Sequence, residues 1–380
     1  MRFRDLSAQY VRYQAAIDAA IQSVVNSTEF ISGPAVARFE EHIANVAGVK
    51  HCVSCANGTD ALSLVMMAWG IGEGDAVLVP DYTFFATAEI VSHCGATPVF
   101  VDVDPRTFNL DPVALQKTID RVIAEGKLSP KVIIPVDLFG IPADYPAIEA
   151  IAKAYNLRIL EDGAQGFGAS LNGHMVCSFG DAATTSFFPV KPLGCYGDGG
   201  AIFTNDTALA EHLKSIRVHG KGSDKYDNVR IGVNSRLDTL QAAVLDVKLD
   251  ALMAHELADV DRVAKHYTQR LADHVIVPLI PEGVVSAYAQ YTIQLRSAAE
   301  RTHVINALKA QDIPTMIYYT IPLHRQKAFA DLKVNDADFP VSNRLSETCL
   351  SLPIGPYMPL ADVDTVADAL ISALRCFRGE

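Results

Sequence analysis

Apolar positions change their period several times along this chain, and each change marks an element. Within residues 9–26, Ile17, Ile21, Val24 and Val25 recur at helical spacing, which predicts a helix. The stretch FISGP breaks that run, and a second helix is predicted to about Ala47. The two form an N-terminal arm. Beyond it lie seven short apolar runs: HCVSC, AVLVP, TPVFVDV, KVIIPV, LRILED, AATTSFF and GAIFTN. Helical segments separate most of them. Continuously apolar strands alternating with helices predict a mainly parallel sheet buried on both faces, an α/β architecture. In NSRLDTLQAAVLDVKLDAL, the residues Leu237, Leu240, Val244 and Val247 predict one long helix. From about residue 260 the pattern alternates helices with strand candidates such as YAQYTIQL and IPTMIYYT. The expected division is a large α/β domain over 1–259 and a smaller α+β domain over 260–380.

Charge and cysteine usage narrow the function classes. Against 44 Asp and Glu stand only 32 Lys and Arg, a formal charge of −12. A nucleic-acid binder would show a basic face instead, so an anionic ligand must be held by a local site. The start, MRFRDLSAQY, has no apolar signal core, and the longest apolar runs fall short of a membrane span. A cytoplasmic location is expected. Seven cysteines, an odd number scattered through a large chain, predict free thiols rather than a disulfide framework. Cys52 and Cys55 make a CxxC, but no second pair follows at zinc spacing, and no metal is expected.

In an open α/β sheet, chemistry is to be sought just after the strands. HCVSCA runs into Asn57-Gly58-Thr59 and a helix that Thr59 could cap. That corner reads either as an ordinary capped helix or as an anion site suited to phosphate. LRILED ends in Asp162, whose burial requires a structural ion pair or a protonated nitrogen. AATTSFF delivers Ser186 and then Lys191, which precedes a loop with Gly194, Gly197, Gly199 and Gly200. Combined, a phosphate corner, an acid wanting a cation and a lysine beside a glycine loop suit pyridoxal 5′-phosphate. That cofactor carries a phosphate, a pyridine nitrogen and an aldehyde that condenses with lysine.

Across essentially the whole chain, DLSAQY, FISGPAVARFE, SCANGTDAL, PDYTFFATAE, ILEDGAQGFGAS, SFFPVKPLGCYGDGGAIFTND, NSRLDTLQAAVL and IPLHRQKAF resemble the DegT/DnrJ/EryC1/StrS sugar aminotransferases. The resemblance implies fold type I, with a large mainly parallel seven-stranded sheet and a smaller C-terminal part. It implies that Lys191 holds the cofactor as a Schiff base and then shuttles the proton, with the pyridoxamine form arising during turnover. Asp162 would pair with the pyridinium nitrogen, and Gln165 would reach the ring's phenolic oxygen. Phe84 would stack on the ring, or else pack in the core. Gly58, Thr59 and Ser186 would bind the phosphate, joined by Asn234 from the partner subunit, which makes a homodimer part of the mechanism.

The implied substrates are L-glutamate and a keto sugar nucleotide. Within the family the chain is most similar to enzymes that aminate C3 of UDP-2-acetamido-3-oxo-glucuronate for surface polysaccharide, including lipopolysaccharide. Arg236 is the candidate for the uronate carboxylate, with Tyr318, Tyr319 and His324 also at the substrate. Where the family commonly reads His-Tyr-Pro before PLH, this chain reads Tyr318-Tyr319-Thr320, so a neutral dTDP-linked 3-oxo sugar or a 4-oxo amino sugar competes as acceptor. A C3-dehydrating relative would replace Lys191 by histidine, and a regulatory relative would have lost catalytic positions. A nicotinamide dehydrogenase is excluded, because GCYGDGG follows a lysine rather than opening a first strand-to-helix turn.

Overall fold

The structure, a computed structural model, describes residues 1–224 and 226–380. Seven strands form its main sheet: β1 (His51–Cys55), β2 (Asp75–Pro80), β3 (Thr97–Val101), β4 (Ser129–Ile133), β5 (Arg158–Asp162), β6 (Ala182–Ser186) and β7 (Gly200–Thr204). Their order is β1-β7-β6-β5-β4-β2-β3. Parallel pairing runs from β3 to β6, while β7 lies antiparallel to both β1 and β6. The exception has a plain cause. A parallel return needs a long crossover, usually helical, and between β6 and β7 the chain simply turns back through the glycine loop.

The N-terminal arm contains α1 (Leu6–Ser27) and α2 (Pro34–Ala47). The crossovers and flanks supply α3 (Gly58–Trp69), α4 (Ala86–His93), α5 (Pro112–Glu125), α6 (Tyr145–Tyr155), α7 (Thr207–Ile216) and α8 (Thr239–Ala251). Consecutive strand residues point to opposite faces, and the two cores follow that alternation. Val53, Ala182 and Ile202 pack with Leu62 and Val65 of α3 and Leu213 of α7. Cys52, Ala183 and Phe203 pack on the other face with Phe39 and Ile43 of α2 and Leu245 and Leu249 of α8. Each such large side chain contributes about 1.5–3 kcal/mol of burial.

The helix predicted beyond Leu237 is interrupted. A wide turn over Leu252–Glu256 separates α8 from α9 (Leu257–Leu271). Buried Glu256 sits at that turn and accepts from Gln9 Nε2 at 2.9 and 3.2 Å and from the Tyr357 hydroxyl. A third core gathers α9, α10 (Ala298–Lys309), α12 (Leu360–Arg378) and the antiparallel pair β8 (Tyr291–Gln294) and β9 (Cys349–Leu352). The helix α11 (Pro340–Thr348) leads into β9.

The strand predicted in IPTMIYYT does not form. Met316 makes a single bridge to Ser351, and the next backbone groups go to a side chain instead. The Tyr82 hydroxyl donates to Tyr318 O at 2.5 Å and accepts from Tyr319 N–H at 3.0 Å. A phenol between those two groups does the work of a neighbouring strand. All seven cysteines are free thiols. Among the described residues, no helix is long and apolar enough to cross a membrane.

Candidate active site

Three elements converge at the carboxyl edge of the sheet. Asp162 ends β5, in register with Thr184 of β6. Its buried carboxylate accepts from the Thr87 hydroxyl of α4 at 2.8 Å and from Ala164 N–H at 3.2 Å. Burial raises its pKa, while those two donors and the nearby Lys191 ammonium draw it back. Such a carboxylate is short of a cation. Lys191 lies in the loop after β6, where its own N–H donates to Phe188 O at 2.8 Å. Burial lowers its amine to about 8; Asp162 opposes that drop and Arg4 adds to it. An amine so lowered is more readily available as a nucleophile and proton carrier.

Glu161, one residue earlier, points to the opposite face. It accepts from Cys177 N–H at 2.5 Å and Phe179 N–H at 2.8 Å, and burial raises its pKa well above the ordinary range. Strand alternation thus sends one carboxylate to the site and the other into the fold.

The phosphate corner is built by close backbone approach. A Cβ on Gly58 would lie 2.7 Å from Ser186 Cβ, and one on Gly200 would lie 2.4 Å from the Asn57 carbonyl carbon. Gly200 also stands in register with Cys55 on one side and Ser186 on the other. The unpaired N–H groups of the first turn of α3 are therefore framed by Ser186 and the glycine loop, an arrangement suited to an anion. The cap differs from the expected one. Asn57, not Thr59, closes the helix, its Oδ1 accepting from Asp60 N–H at 2.8 Å. Thr59 is already inside the first turn, too far along to cap it. The Asn-x-x-Asp spacing was the signal that would have found this.

Gln165 bridges the site to the C-terminal half. Its Nε2 donates to the Tyr319 hydroxyl at 3.0 Å and its Oε1 accepts from Phe139 N–H at 2.9 Å. Phe84 is 55% exposed, its ring 6.4 Å from that of Tyr319, so core packing does not explain it. Tyr318 is half-buried between Phe139 and Phe3. Asp162 thus connects Lys191 electrostatically to Tyr319, which holds Gln165 and lies beside Phe84.

Three predicted residues lie elsewhere. His324, expected at the substrate, is a correction. Its side chain is 2% exposed, with Nδ1 2.7 Å from Asp81 Oδ2 and Nε2 2.9 Å from Asp336 Oδ1. Both nitrogens are occupied, which leaves none for a sugar. Asn234 is exposed and Arg236 half-buried. They flank Ser235, whose hydroxyl donates to Asp60 at 2.6 Å and accepts from Ala56 N–H at 3.0 Å. That ties their segment to the N-terminus of α3 without placing either side chain against Lys191.

Two further residues escaped sequence reading. Thr87 orients Asp162, and nothing distinguishes it from other helix threonines in the sequence. Lys248 of α8 is 2% exposed; its ammonium donates to Gly194 O and lies 5.1 Å from the Tyr196 ring. Burial lowers its amine to about 8. A lysine beside Val244, Leu245 and Leu249, all buried, was the available signal.

Residues 12–371 match the DegT/DnrJ/EryC1/StrS aminotransferase family. The chain belongs to this family. It is 46% identical over 373 residues to the UDP-2-acetamido-2-deoxy-3-oxo-D-glucuronate aminotransferase of Pseudomonas aeruginosa, covering 97% of this chain and 99% of that one. A Brucella abortus DegT/DnrJ/EryC1/StrS aminotransferase superposes with a TM-score of 0.95 at 49% identity over 100% of both chains. DesV of Streptomyces venezuelae, solved with a ketimine intermediate, superposes with a TM-score of 0.92 at 34% identity over 98% of each chain. The fold is that of the type I enzymes, and the family's aminotransferases depend on pyridoxal 5′-phosphate. The residues present fit that cofactor: a corner that any Cβ would fill, a buried carboxylate without a full cationic partner, and an amine near 8.

Proposed function

We propose that this aminotransferase moves an amino group from L-glutamate to a keto sugar nucleotide, and that the acceptor carbon is C3 of UDP-2-acetamido-3-oxo-glucuronate. The product would feed surface polysaccharide such as lipopolysaccharide, made in the cytoplasm. The observation that carries the reading is the 46% identity across 97% of the chain to the Pseudomonas enzyme of that name, with Lys191 and Asp162 both in place. When bound, pyridoxal 5′-phosphate supplies an electron sink for breaking a C–H bond beside nitrogen.

The chain's own residues supply the rest. Lys191 Nζ holds the cofactor in the resting enzyme and, when free, carries the proton at the carbon that loses or gains nitrogen. Asp162, oriented by Thr87, keeps the cofactor's ring nitrogen protonated. Gln165, held by Phe139 N–H and Tyr319, would reach the phenolic oxygen, and exposed Phe84 would stack on the ring. Gly58, Thr59 and Ser186 take the phosphate, with Asn234 reaching it from the partner subunit of a homodimer and Arg236 reaching the uronate carboxylate. Tyr318 and Tyr319 line the acceptor side. In this reading 1–259 carries the cofactor, and 260–380 forms the smaller C-terminal part.

Absorbance of the purified protein with pyridoxal 5′-phosphate, before and after glutamate, tests the reading. A visible band that moves to the near ultraviolet supports it, and a panel of keto sugar nucleotides then ranks acceptors. A band indifferent to glutamate removes the donor assignment, while no band removes the role of Lys191. Equal loss of turnover on uronate and neutral sugars in Arg236→Ala would remove the carboxylate role of Arg236.

A further inference from the structure

Lys191 opens on a cavity of about 310 Å³ that also touches Arg4, Lys248 and Glu256. The short strap ahead of α1 forms one wall. It is pinned on both sides of Arg4. Phe3 O accepts from Ile354 N–H at 3.2 Å, Asp5 caps α1 by accepting from Ser7 N–H at 2.9 Å and Ala8 N–H at 3.2 Å, and Gln9 is bound to Glu256. The arginine between these anchors is half-buried, yet among the described residues its one hydrogen bond runs from Nη1 to Ala289 O at 3.4 Å.

Of the three acids that line the cavity, two are already engaged by other groups, and one of these, Glu256, also attracts Arg4. Glu256 serves Gln9 and Tyr357, and Asp5 serves the cap and Arg2, 3.2 Å away. Asp362 lies in the first turn of α12, where a carboxylate offsets the helix dipole. Among the described residues, no carboxylate forms an ion pair with Arg4. Five donors of a half-buried guanidinium are costly to leave so poorly met, and this one lines the same cavity as Lys191.

Resting on the aminotransferase reading above, we propose that Arg4 is a substrate-carboxylate site. Its guanidinium takes a carboxylate of the reacting molecule by a charge-assisted, bidentate contact. Two molecules could bring that group, the amino donor or an acidic sugar.

Calorimetric titration of the holoenzyme separates the sources. 2-Oxoglutarate reports the donor side, and UDP-glucuronate against neutral UDP-glucose reports the acceptor side. Arg4→Gln is expected to weaken one of the two carboxylates by about 10- to 100-fold, the span of a charged hydrogen bond, with UDP-glucose unchanged. Arg4→Lys should recover part of that loss. Loss on 2-oxoglutarate alone supports a donor site, and loss on UDP-glucuronate alone supports an acidic-sugar site. Unchanged binding of both, or equal loss on UDP-glucose, overturns the proposal, as does a wild-type holoenzyme that binds neither carboxylate. Failure of the aminotransferase reading itself shows separately, in the missing response of the wild-type visible band to glutamate.

Discussion

At the scale of single residues, Lys191 and Asp162 hold each other in opposed states. Burial disfavours both charges, and their mutual attraction recovers part of the cost. The amine sits near 8 in the fold against an ordinary 10.5, so it loses its proton more readily folded than unfolded. The charged amine therefore burdens the cofactor-free fold below about pH 8, and that burden lifts as pH rises towards 10.5. Acylation of the cofactor-free protein, followed by peptide mapping, should find Lys191 half reactive at about pH 8. Asp162→Asn should move that midpoint lower, since the carboxylate raises the amine, and Arg4→Gln should move it higher. A midpoint at the ordinary lysine value in all three proteins would refute the account. Both candidate residues were legible in the sequence because one ends and the other follows a strand that the apolar pattern already delimits. His324 misled, since PLH does not show the two carboxylates that enclose the ring.

At the scale of elements, the site depends on how tightly three backbone segments meet. Gly200 in β7 lies against Asn57, and Gly58 lies against Ser186. Gly200→Ala must push β7 from the start of α3, because its clash is with the backbone of Asn57 and Gly58, which cannot swing aside as a side chain can. Stability should fall by about 1–3 kcal/mol in urea titration, and affinity for pyridoxal 5′-phosphate should fall with it. Gly72→Ala is the control, since its Cβ would meet only Cys94 O at an ordinary 3.6 Å. If both variants kept wild-type cofactor affinity, the close approach would have no part in the phosphate corner. All seven sheet strands were visible as apolar runs, most of them separated by helices. The false strand in IPTMIYYT was not separable from them, because what diverts it is the hydroxyl of Tyr82, more than two hundred residues away. Local pattern carries no information about so distant a partner.

At the scale of the whole molecule, two segments joined through Asp238 and Thr239 carry exposed apolar side chains. Val229, Ile231 and Val233 are 52%, 87% and 37% exposed, and Phe30 and Ile31 are 44% and 49% exposed. Thr239 N–H donates to Phe30 O at 3.0 Å, and Ile31 bridges Asp238, which ties Phe30 and Ile31 to the chain a few residues beyond Val233. Exposed apolar side chains suit the partner contact of the proposed homodimer, and exposed Asn234 follows directly after Val233. A twofold partner docked there would place each chain's Asn234 on the other chain, the geometry a shared phosphate site needs. Mixing then becomes decisive. Lys191→Ala homodimers should be inactive and Asn234→Ala homodimers weak in cofactor binding. After the two are unfolded and refolded together, half the dimers would be mixed, each with one fully wild-type site. About a quarter of wild-type turnover should return, and Ile231→Glu, which charges the apolar surface, should abolish the recovery and yield monomers in sedimentation. Were each site built from one chain alone, no mixed dimer would hold a complete site, and the refolded mixture would show only the average of the two parents.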